Sequence, residues 1–179
     1  KGSLIDTCGT GGDNKKSFNF STATAILLSA CGLSVAKHGN RSVTSKSGSV
    51  DVIEALNIKI HESVSNIKKM SRNCNICFLF APHFHKSLKK VAQIRKNIGF
   101  RTIFNLLGPL LNPAKIDYQL LGVTNKEFLK THSACLSKMD LTESWIVHNL
   151  DGYDELTTTN TNLIIKVKKK KISKVLRIN

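Results

Sequence analysis

Short apolar runs alternate along this chain with longer stretches whose apolar residues recur at helical spacing. Such runs, bounded by Gly, Pro or polar clusters, are typical of buried strands. Strands are predicted at SLIDTC, LSVAKHG, NICFLFAP and SWIVHN, and helices at residues 21–32, 45–58, 63–73, 85–99 and 125–139. The alternation predicts an α/β domain with a largely parallel central sheet flanked by helices.

Two smaller features complete this prediction. Ser21 or Thr22 is expected to cap the first helix, and Gly32 is expected to end it. Residues 163–178 contain two alternating, strand-like pieces.

The chain has 179 residues, of which 41% are hydrophobic, which suits one domain with a hydrophobic core. Its apolar runs are too short to cross a bilayer, and residues 1–12 lack the apolar centre of a signal peptide. A cytoplasmic location is therefore predicted.

The five cysteines are scattered and odd in number, which does not indicate a disulfide framework. Cys74 and Cys77 have the CxxC spacing of a redox or zinc pair, but the sequence has no second pair to complete a zinc site. Cys77 also falls within an apolar run, so core packing is the favoured interpretation.

The net charge of +15, from 27 Lys and Arg against 12 Asp and Glu, raises the possibility of nucleic-acid binding. The lysines are dispersed, however, and only residues 167–174 form a dense basic run. Dispersed charge favours solvated surfaces over a clustered functional footprint.

A glycine-rich stretch, GTGGDNKKSFNFSTA at residues 9–23, lies between the first strand and the first helix. Glycine lets backbone N–H groups approach a phosphate, and the N-terminus of a helix attracts anions. The stretch matches neither GxxxxGKS nor GxGxxG, so a phosphate loop and a plain tight turn both remain open.

A second polar cluster, KHGNRSVTSKSGS at residues 37–49, follows the second strand. Its cations, hydroxyl groups and glycines have the composition of a loop that wraps a phosphorylated sugar; the alternative is an exposed polar loop with a helix cap at Ser47. Ligands gather at the carboxyl ends of parallel strands, where both clusters fall, and this favours binding.

A third cluster, DGYDEL, follows the strand SWIVHN and contains Asp151, Asp154 and Glu155. Adjacent carboxylates at a strand end can hold Mg²⁺, although acidic turns are also common. His83 and His85 follow the apolar strand without metal-site companions, and Gly108-Pro109 suggests a rigid, partly apolar wall. Arg95, on a predicted helix, is either a carboxylate-binding side chain or a surface arginine.

Four blocks in order, GTGGD…SFNFSTA, KHGNRSVTSKSGSVDVIEAL, IRKNIGFRTIFNLLGPLLNP and DGYDEL, resemble the anthranilate phosphoribosyltransferases from about residue 6 to 155. The resemblance implies a phosphoribosyltransferase catalytic domain of the nucleoside-phosphorylase-like fold over residues 1–179. It also implies transfer of phosphoribose from phosphoribosyl diphosphate (PRPP) to the amine of anthranilate, with release of diphosphate, in tryptophan biosynthesis.

The resemblance also implies roles for individual residues, with no side chain acting as acid or base. Anthranilate would contact Gly9, Asn40 and Arg95, with His38 and His85 near its path. Mg²⁺ would be bound by Ser21, Asp154 and Glu155. PRPP would be bound by Gly9, Gly12, Asp13, Ser17, Asn19, Phe20, Ser21, Thr22, Lys37, His38, Gly39, Asn40, Arg41, Ser42, Val43, Thr44, Ser45 and Ser49.

This chain departs from the family pattern at three places. Asn14 stands where the family usually has glycine, and Lys86 stands where it usually has proline. After Asp154 and Glu155 the chain continues LTTTNTN instead of toward Gly-Pro-Thr, which changes the neighbouring loop.

The family also has N-terminal helices that contribute to a small helical domain and to a dimer interface. The chain is therefore expected to be part of a longer enzyme that forms a homodimer and has a glutamine amidotransferase as a possible partner. Two alternatives remain: a pyrimidine nucleoside phosphorylase of the same fold, and a non-catalytic nucleic-acid-binding relative.

Overall fold

The computed structural model of the chain describes residues 2–13, 15, 17–41, 48–60, 63–87 and 102–179. Five parallel strands form most of its sheet: β1 (Leu4–Gly9), β2 (Ser34–Gly39), β3 (Ile76–Phe80), β4 (Tyr118–Gly122) and β5 (Glu143–Asn149). Three antiparallel strands complete it: β6 (Asn162–Lys168), β7 (Lys171–Ile172) and β8 (Leu176–Ile178).

The strands follow the order β3-β2-β1-β4-β5-β6-β7, and β8 pairs with β6. From β1 the chain adds β2 and then β3 on one side. It then returns to the other side of β1 and adds β4, so the strand order reverses at β1. Loops after neighbouring parallel strands open a crevice at such a switch point. The largely parallel α/β fold predicted from the sequence is confirmed.

Helices connect the parallel strands, as expected. Their bounds are α1 (Phe20–Ala30), α2 (Ser49–Ala55), α3 (Val64–Cys74), α4 (Ala81–Phe84), α5 (Ile103–Leu107) with a 3₁₀ turn at Gly108–Leu110, and α6 (Glu127–Leu136). Most of the helix predicted at 85–99 lies outside the described residues. None of the described helices is long and apolar enough to cross a membrane.

The cap of α1 was predicted incorrectly. The helix begins at Phe20, and Asn19 is the cap, since its side-chain oxygen accepts a hydrogen bond of 3.2 Å from the Thr22 backbone N–H. An amide oxygen caps as well as a hydroxyl, so Asn19 competes successfully with the predicted serine and threonine. Gly32 lies just beyond the helix with φ of +85°, as a terminating glycine requires.

The core lies on both faces of the sheet. One cluster packs α6 against β4, β5 and β6 through residues that include Leu121, Leu136 and Ile146. A second packs α1 and α2 against β2 and β3. Cys77 is buried in a third cluster. Cys74 is exposed, so one cysteine of the CxxC pair lies in the core and the other at the surface.

The dense basic run forms a hairpin. Lys169 and Lys170 turn the chain with positive φ between β6 and β7. Lys166 Nζ lies 3.8 Å from the centre of the Trp145 ring, and Lys168 Nζ lies 3.0 Å from a Glu143 carboxylate oxygen. These contacts give two of the lysines local structural partners.

Truncating Leu121, which is fully buried, tests the first core cluster. We expect Leu121→Ala to lower the free energy of unfolding by about 2–5 kcal/mol, because the cavity left in a close-packed core relaxes only partly. Leu27, on α1, is 64% exposed, and Leu27→Ala should change stability by less than about 0.5 kcal/mol. Urea denaturation would measure both, and equal losses would contradict this assignment of the core.

Candidate active site

The loops after β1 and β5 meet at the carboxyl edge of the sheet. The Gly11 backbone N–H donates a hydrogen bond of 2.8 Å to Asp154 Oδ2, which joins residues 143 positions apart in the chain. Lys37, near the end of β2, lies beside them, since its Nζ donates to Ser21 Oγ over 3.3 Å. The structure therefore joins the first and third polar clusters singled out in the sequence, and places Lys37, the first residue of the second, beside them.

Two glycines make room for Asp154. A Cβ on Gly9 would lie 2.4 Å from Asp154 Oδ2, and a Cβ on Gly122 would lie 1.6 Å from the Asp154 carbonyl oxygen. Neighbouring strands β1 and β4 pair these two glycines directly. Asp154 can therefore pack directly against the ends of β1 and β4, and it is only 7% exposed to solvent.

Glu155 lies in a crowded acidic environment. Burial, together with the nearby Asp154 and Asp13, raises the pKa of its carboxyl group to about 8, while Lys37 and the Ser21 backbone N–H oppose the shift. Asp13 Oδ2 is buried without a hydrogen-bond partner among the described atoms. Partly buried carboxylates in this arrangement favour a bound cation.

These oxygens fit Mg²⁺, which prefers oxygen ligands and keeps several waters or substrate oxygens. Ser21 contacts Glu155 through its backbone, and Asp154 and Glu155 are close enough to repel each other. Among the described residues, no three His, Cys, Asp or Glu side chains form a metal-ligand cluster. The predicted set has two carboxylates and one hydroxyl, which is not a cluster of that kind, and it stays a prediction.

Asp151 is separated from the acidic pair. Its carboxylate accepts hydrogen bonds of 2.7 Å from both Thr159 Oγ1 and Asn160 Nδ2. These bonds lower its pKa and tie the threonine-rich stretch to the start of the loop. Asp151 therefore holds the altered LTTTNTN stretch, which has a defined local structure.

Lys37 supplies a buried positive charge. Its side chain is inside the protein, and Nζ donates to the Thr7 carbonyl oxygen as well as to Ser21 Oγ. Burial lowers its pKa, whereas Asp6, Cys8 and Glu155 raise it. An ammonium group beside Ser21 and Glu155 gives the crevice both signs of charge.

His38 lies against a wall formed by residues 108–112. Its ring packs edge-to-face with that of His85 at a centroid distance of 5.3 Å, and the Gly108 backbone lies near enough to affect its pKa. His85 Nε2 donates to the Leu111 carbonyl oxygen over 2.8 Å. The wall expected from Gly108-Pro109 therefore exists, and the two histidines contact it.

A pH dependence follows from His38. Burial, together with His85 and Lys37, lowers its pKa to about 4, while the Gly108 backbone opposes the shift. Between about pH 4 and 6.5 the unfolded chain binds one more proton at this site, so stability should fall as pH falls through this window.

We expect the stability difference between wild type and His38→Gln to change by about 2 kcal/mol between pH 7 and pH 5, in favour of the variant at pH 5. Urea denaturation at the two pH values would measure it. A difference independent of pH would show that His38 titrates normally in the folded protein.

Most of the remaining predicted residues that the structure describes lie in two groups. Gly12 has a positive φ, Asp13 accepts a hydrogen bond from the Lys15 backbone, and Asn19, Phe20 and Thr22 form the start of α1. Ser17 is exposed beside them. Gly39, Asn40 and Ser49 lie together, since Ser49 Oγ donates to the Asn40 carbonyl oxygen over 3.4 Å.

Arg41 is directed toward protein groups. It forms an ion pair with Glu54, and its guanidinium group lies 5.0 Å from the centre of the Phe80 ring. Ser42, Val43, Thr44, Ser45 and Arg95 lie outside the described residues.

Sequence reasoning missed four residues: Asp6, Asn112, Gln119 and Gly122. Gln119 Nε2 donates to the Pro109 carbonyl oxygen over 2.7 Å, and Asn112 Nδ2 donates to that of Ala36 over 2.9 Å. The available signal was a polar residue inside an apolar strand, as in LIDTC and YQLLG.

Comparison with known proteins agrees with this geometry. The family model described as "Glycosyl transferase family, a/b domain" matches residues 1–177. Anthranilate phosphoribosyltransferase from Pelagibacter ubique is 47% identical over 172 residues, covering 96% of this chain and 52% of that protein. The enzyme of that name from Shouchella clausii is 51% identical over 164 residues, covering 92% of this chain and 48% of that protein.

Solved structures of two such enzymes share the fold. The enzyme from Thermus thermophilus superimposes with a TM-score of 0.87 at 38% identity, over 98% of this chain and 51% of that one. The enzyme from Saccharomyces cerevisiae, in complex with PRPP and Mg, superimposes with a TM-score of 0.88 at 34% identity, over 99% of this chain and 48% of that one.

The chain thus spans about half the length of the relatives it matches. Their names confirm the resemblance to anthranilate phosphoribosyltransferases, and the family model covers nearly every residue. The chain belongs to the glycosyl transferase family, of which it represents the a/b domain.

Proposed function

We propose that the protein containing this chain transfers the phosphoribosyl group of PRPP to the amine of anthranilate and releases diphosphate, as a step of tryptophan biosynthesis. The contact between Gly11 and Asp154 carries the proposal, because it joins the glycine-rich loop to the acidic pair at one edge of the sheet. A relative of this fold has been solved with PRPP and Mg, the ligands that such a crevice suits.

Several groups of this chain are proposed to bind different parts of PRPP. The backbone N–H groups of the glycine-rich loop and the first turn of α1 attract phosphate oxygens. Lys37 adds a positive charge at the floor of the crevice. Ser42 to Ser45 and Ser49 are proposed to complete the phosphate contacts from the loop after β2.

Ser21, Asp154 and Glu155 would hold Mg²⁺ through their oxygens. Bound there, Mg²⁺ would neutralise charge on the departing diphosphate. The acidic pair favours a cation because burial and mutual repulsion raise the pKa of Glu155.

Anthranilate is proposed to bind between the loop after β2 and the 108–112 wall, with Gly9, Asn40 and Arg95 as its contacts. An aromatic amine is already a neutral nucleophile, so the site needs chiefly to position it and to stabilise charge. His38, whose pKa of about 4 keeps it neutral at higher pH, and His85 would line its approach without acting as acid or base.

The same proposal extends to the location, the oligomeric state and the partner of the whole enzyme. The a/b domain would be the catalytic part of a longer, cytoplasmic enzyme that acts as a homodimer. A glutamine amidotransferase is proposed as a possible partner.

The test is the loss of anthranilate fluorescence when full-length protein is mixed with PRPP and Mg²⁺. We expect the loss only when all components are present. Thymidine or uridine with inorganic phosphate serves as the control substrate pair, and turnover of that pair instead would indicate a nucleoside phosphorylase. No turnover of either, together with salt-sensitive binding of nucleic acid, would favour a non-catalytic relative.

A further inference from the structure

A buried carboxylate lies beneath the crevice and is not used by the proposed reaction. Asp6, in the middle of β1, is fully buried. An aspartate is rarely buried completely unless it is paired, because an ionised carboxylate is costly to remove from water. The groups that contact the Asp6 carboxylate therefore indicate its role.

One set of partners connects Asp6 to β2. Its Oδ1 accepts a hydrogen bond of 3.3 Å from the His38 backbone N–H. The Asn112 side chain lies near enough to lower the pKa of Asp6, and its Nδ2 donates to the Ala36 carbonyl oxygen in β2. Lys37, between Ala36 and His38, is attracted electrostatically to the same carboxylate.

A second set connects Asp6 to the wall. Asp6 Oδ2 accepts from Gln119 Nε2 over 3.4 Å, and the same nitrogen donates to the Pro109 carbonyl oxygen over 2.7 Å. Gln119 lies opposite Asp6 in the neighbouring strand β4. One carboxylate thus links the end of β2 to the 108–112 wall from below.

We propose that Asp6 is a positioning residue, which sets the distance between the end of β2 and the 108–112 wall and so shapes the anthranilate side of the crevice. This inference rests on the proposed function. Asp6 acts through His38, Gln119 and Asn112 and lies below the groups proposed to contact either substrate. A carboxylate suits this position because its two hydrogen-bond partners, the His38 backbone and Gln119 Nε2, both present N–H groups, which need acceptors.

Asp6→Asn tests this with little change of shape. The amide keeps one acceptor oxygen but directs an NH₂ group toward other N–H donors, so the link between β2 and the wall should loosen. Small displacements of a positioned substrate are costly for its reaction. We expect kcat/KM for anthranilate to fall about 10- to 100-fold with a raised anthranilate KM, while the PRPP KM changes less than about threefold.

The split between the two KM values separates positioning from general destabilisation. Loss of folded protein lowers the apparent kcat and leaves both KM values unchanged, which is the result expected for Leu136→Ala in the distant core cluster. Gln119→Met removes the hydrogen bonds to both Asp6 and Pro109 but keeps the bond between Asp6 and β2, so it should raise the anthranilate KM less than Asp6→Asn does. This second variant decides the matter if Asp6→Asn does not fold.

Amide hydrogen exchange provides a readout besides activity. The His38 N–H should exchange at least about tenfold faster in Asp6→Asn than in wild type, because it loses a charged acceptor. Exchange as slow as in wild type, or an anthranilate KM unchanged in the folded variants, would overturn the proposal. If wild type does not use anthranilate, the proposed function fails, and the exchange measurement still tests the link through Asp6.

Discussion

Replacing Asp154 with Asn and Glu155 with Gln in one protein is expected to lower phosphoribosyl transfer by about 10²- to 10³-fold, the usual cost of losing groups that stabilise charge in a transition state. Both side chains keep their shape and lose their charge. Because burial and repulsion from Asp154 already disfavour the charged form of Glu155, the double variant should fold at least as well as wild type.

The matched control is Asp151→Asn, in the same loop but bonded only to Thr159 and Asn160 among the groups described for its carboxylate. We expect this control to keep Mg²⁺-dependent binding of PRPP, measured by isothermal titration calorimetry, whereas the double variant should lose it. Wild-type PRPP affinity in the double variant would remove Asp154 and Glu155 from the proposed metal site.

Gly122→Ala is expected to damage both stability and activity. Its added Cβ would meet the Asp154 carbonyl oxygen at 1.6 Å, and a backbone atom cannot move aside as the end of a side chain can. Either β4 or the loop after β5 must shift, so we expect stability to fall by about 3 kcal/mol or more. Activity should fall as well, because the shift displaces the acidic pair.

Thermal or urea unfolding and the fluorescence assay would measure these two effects. Gly2→Ala is the matched control for stability: Gly2 is exposed, and among the described atoms its added Cβ would meet only Ser34 Oγ, at an ordinary contact distance of 3.9 Å. It should change stability by less than about 0.5 kcal/mol. A Gly122→Ala protein as stable as wild type would mean that the loop does not pack onto β4 as the structure shows.

The sequence by itself determined most of the segments that become strands and helices, because burial of one face or of a whole strand leaves a local periodic pattern. It did not predict β4, the strand between β1 and β5, because the short run YQLLG with Gln119 inside it leaves no such pattern. It also indicated that the polar clusters lie at strand ends, since parallel strands share one carboxyl edge. The glycine-rich loop and the DGYDEL turn were found for this reason. The strand-like tail was likewise recognised as β, while its antiparallel pairing with β5 depends on partners distant in the chain.

Only the tertiary structure decided which members of these clusters work together. DGYDEL offers three carboxylates with similar local surroundings, and hydrogen bonds to Thr159 and Asn160 set Asp151 apart, whereas Gly9 and Gly122 admit Asp154. The position of Asp6 beneath the crevice likewise arises from partners on β2 and β4. Local periodicity records whether a side chain is buried, but its charge state and bonding depend on groups brought near by folding, often more than a hundred residues away in sequence.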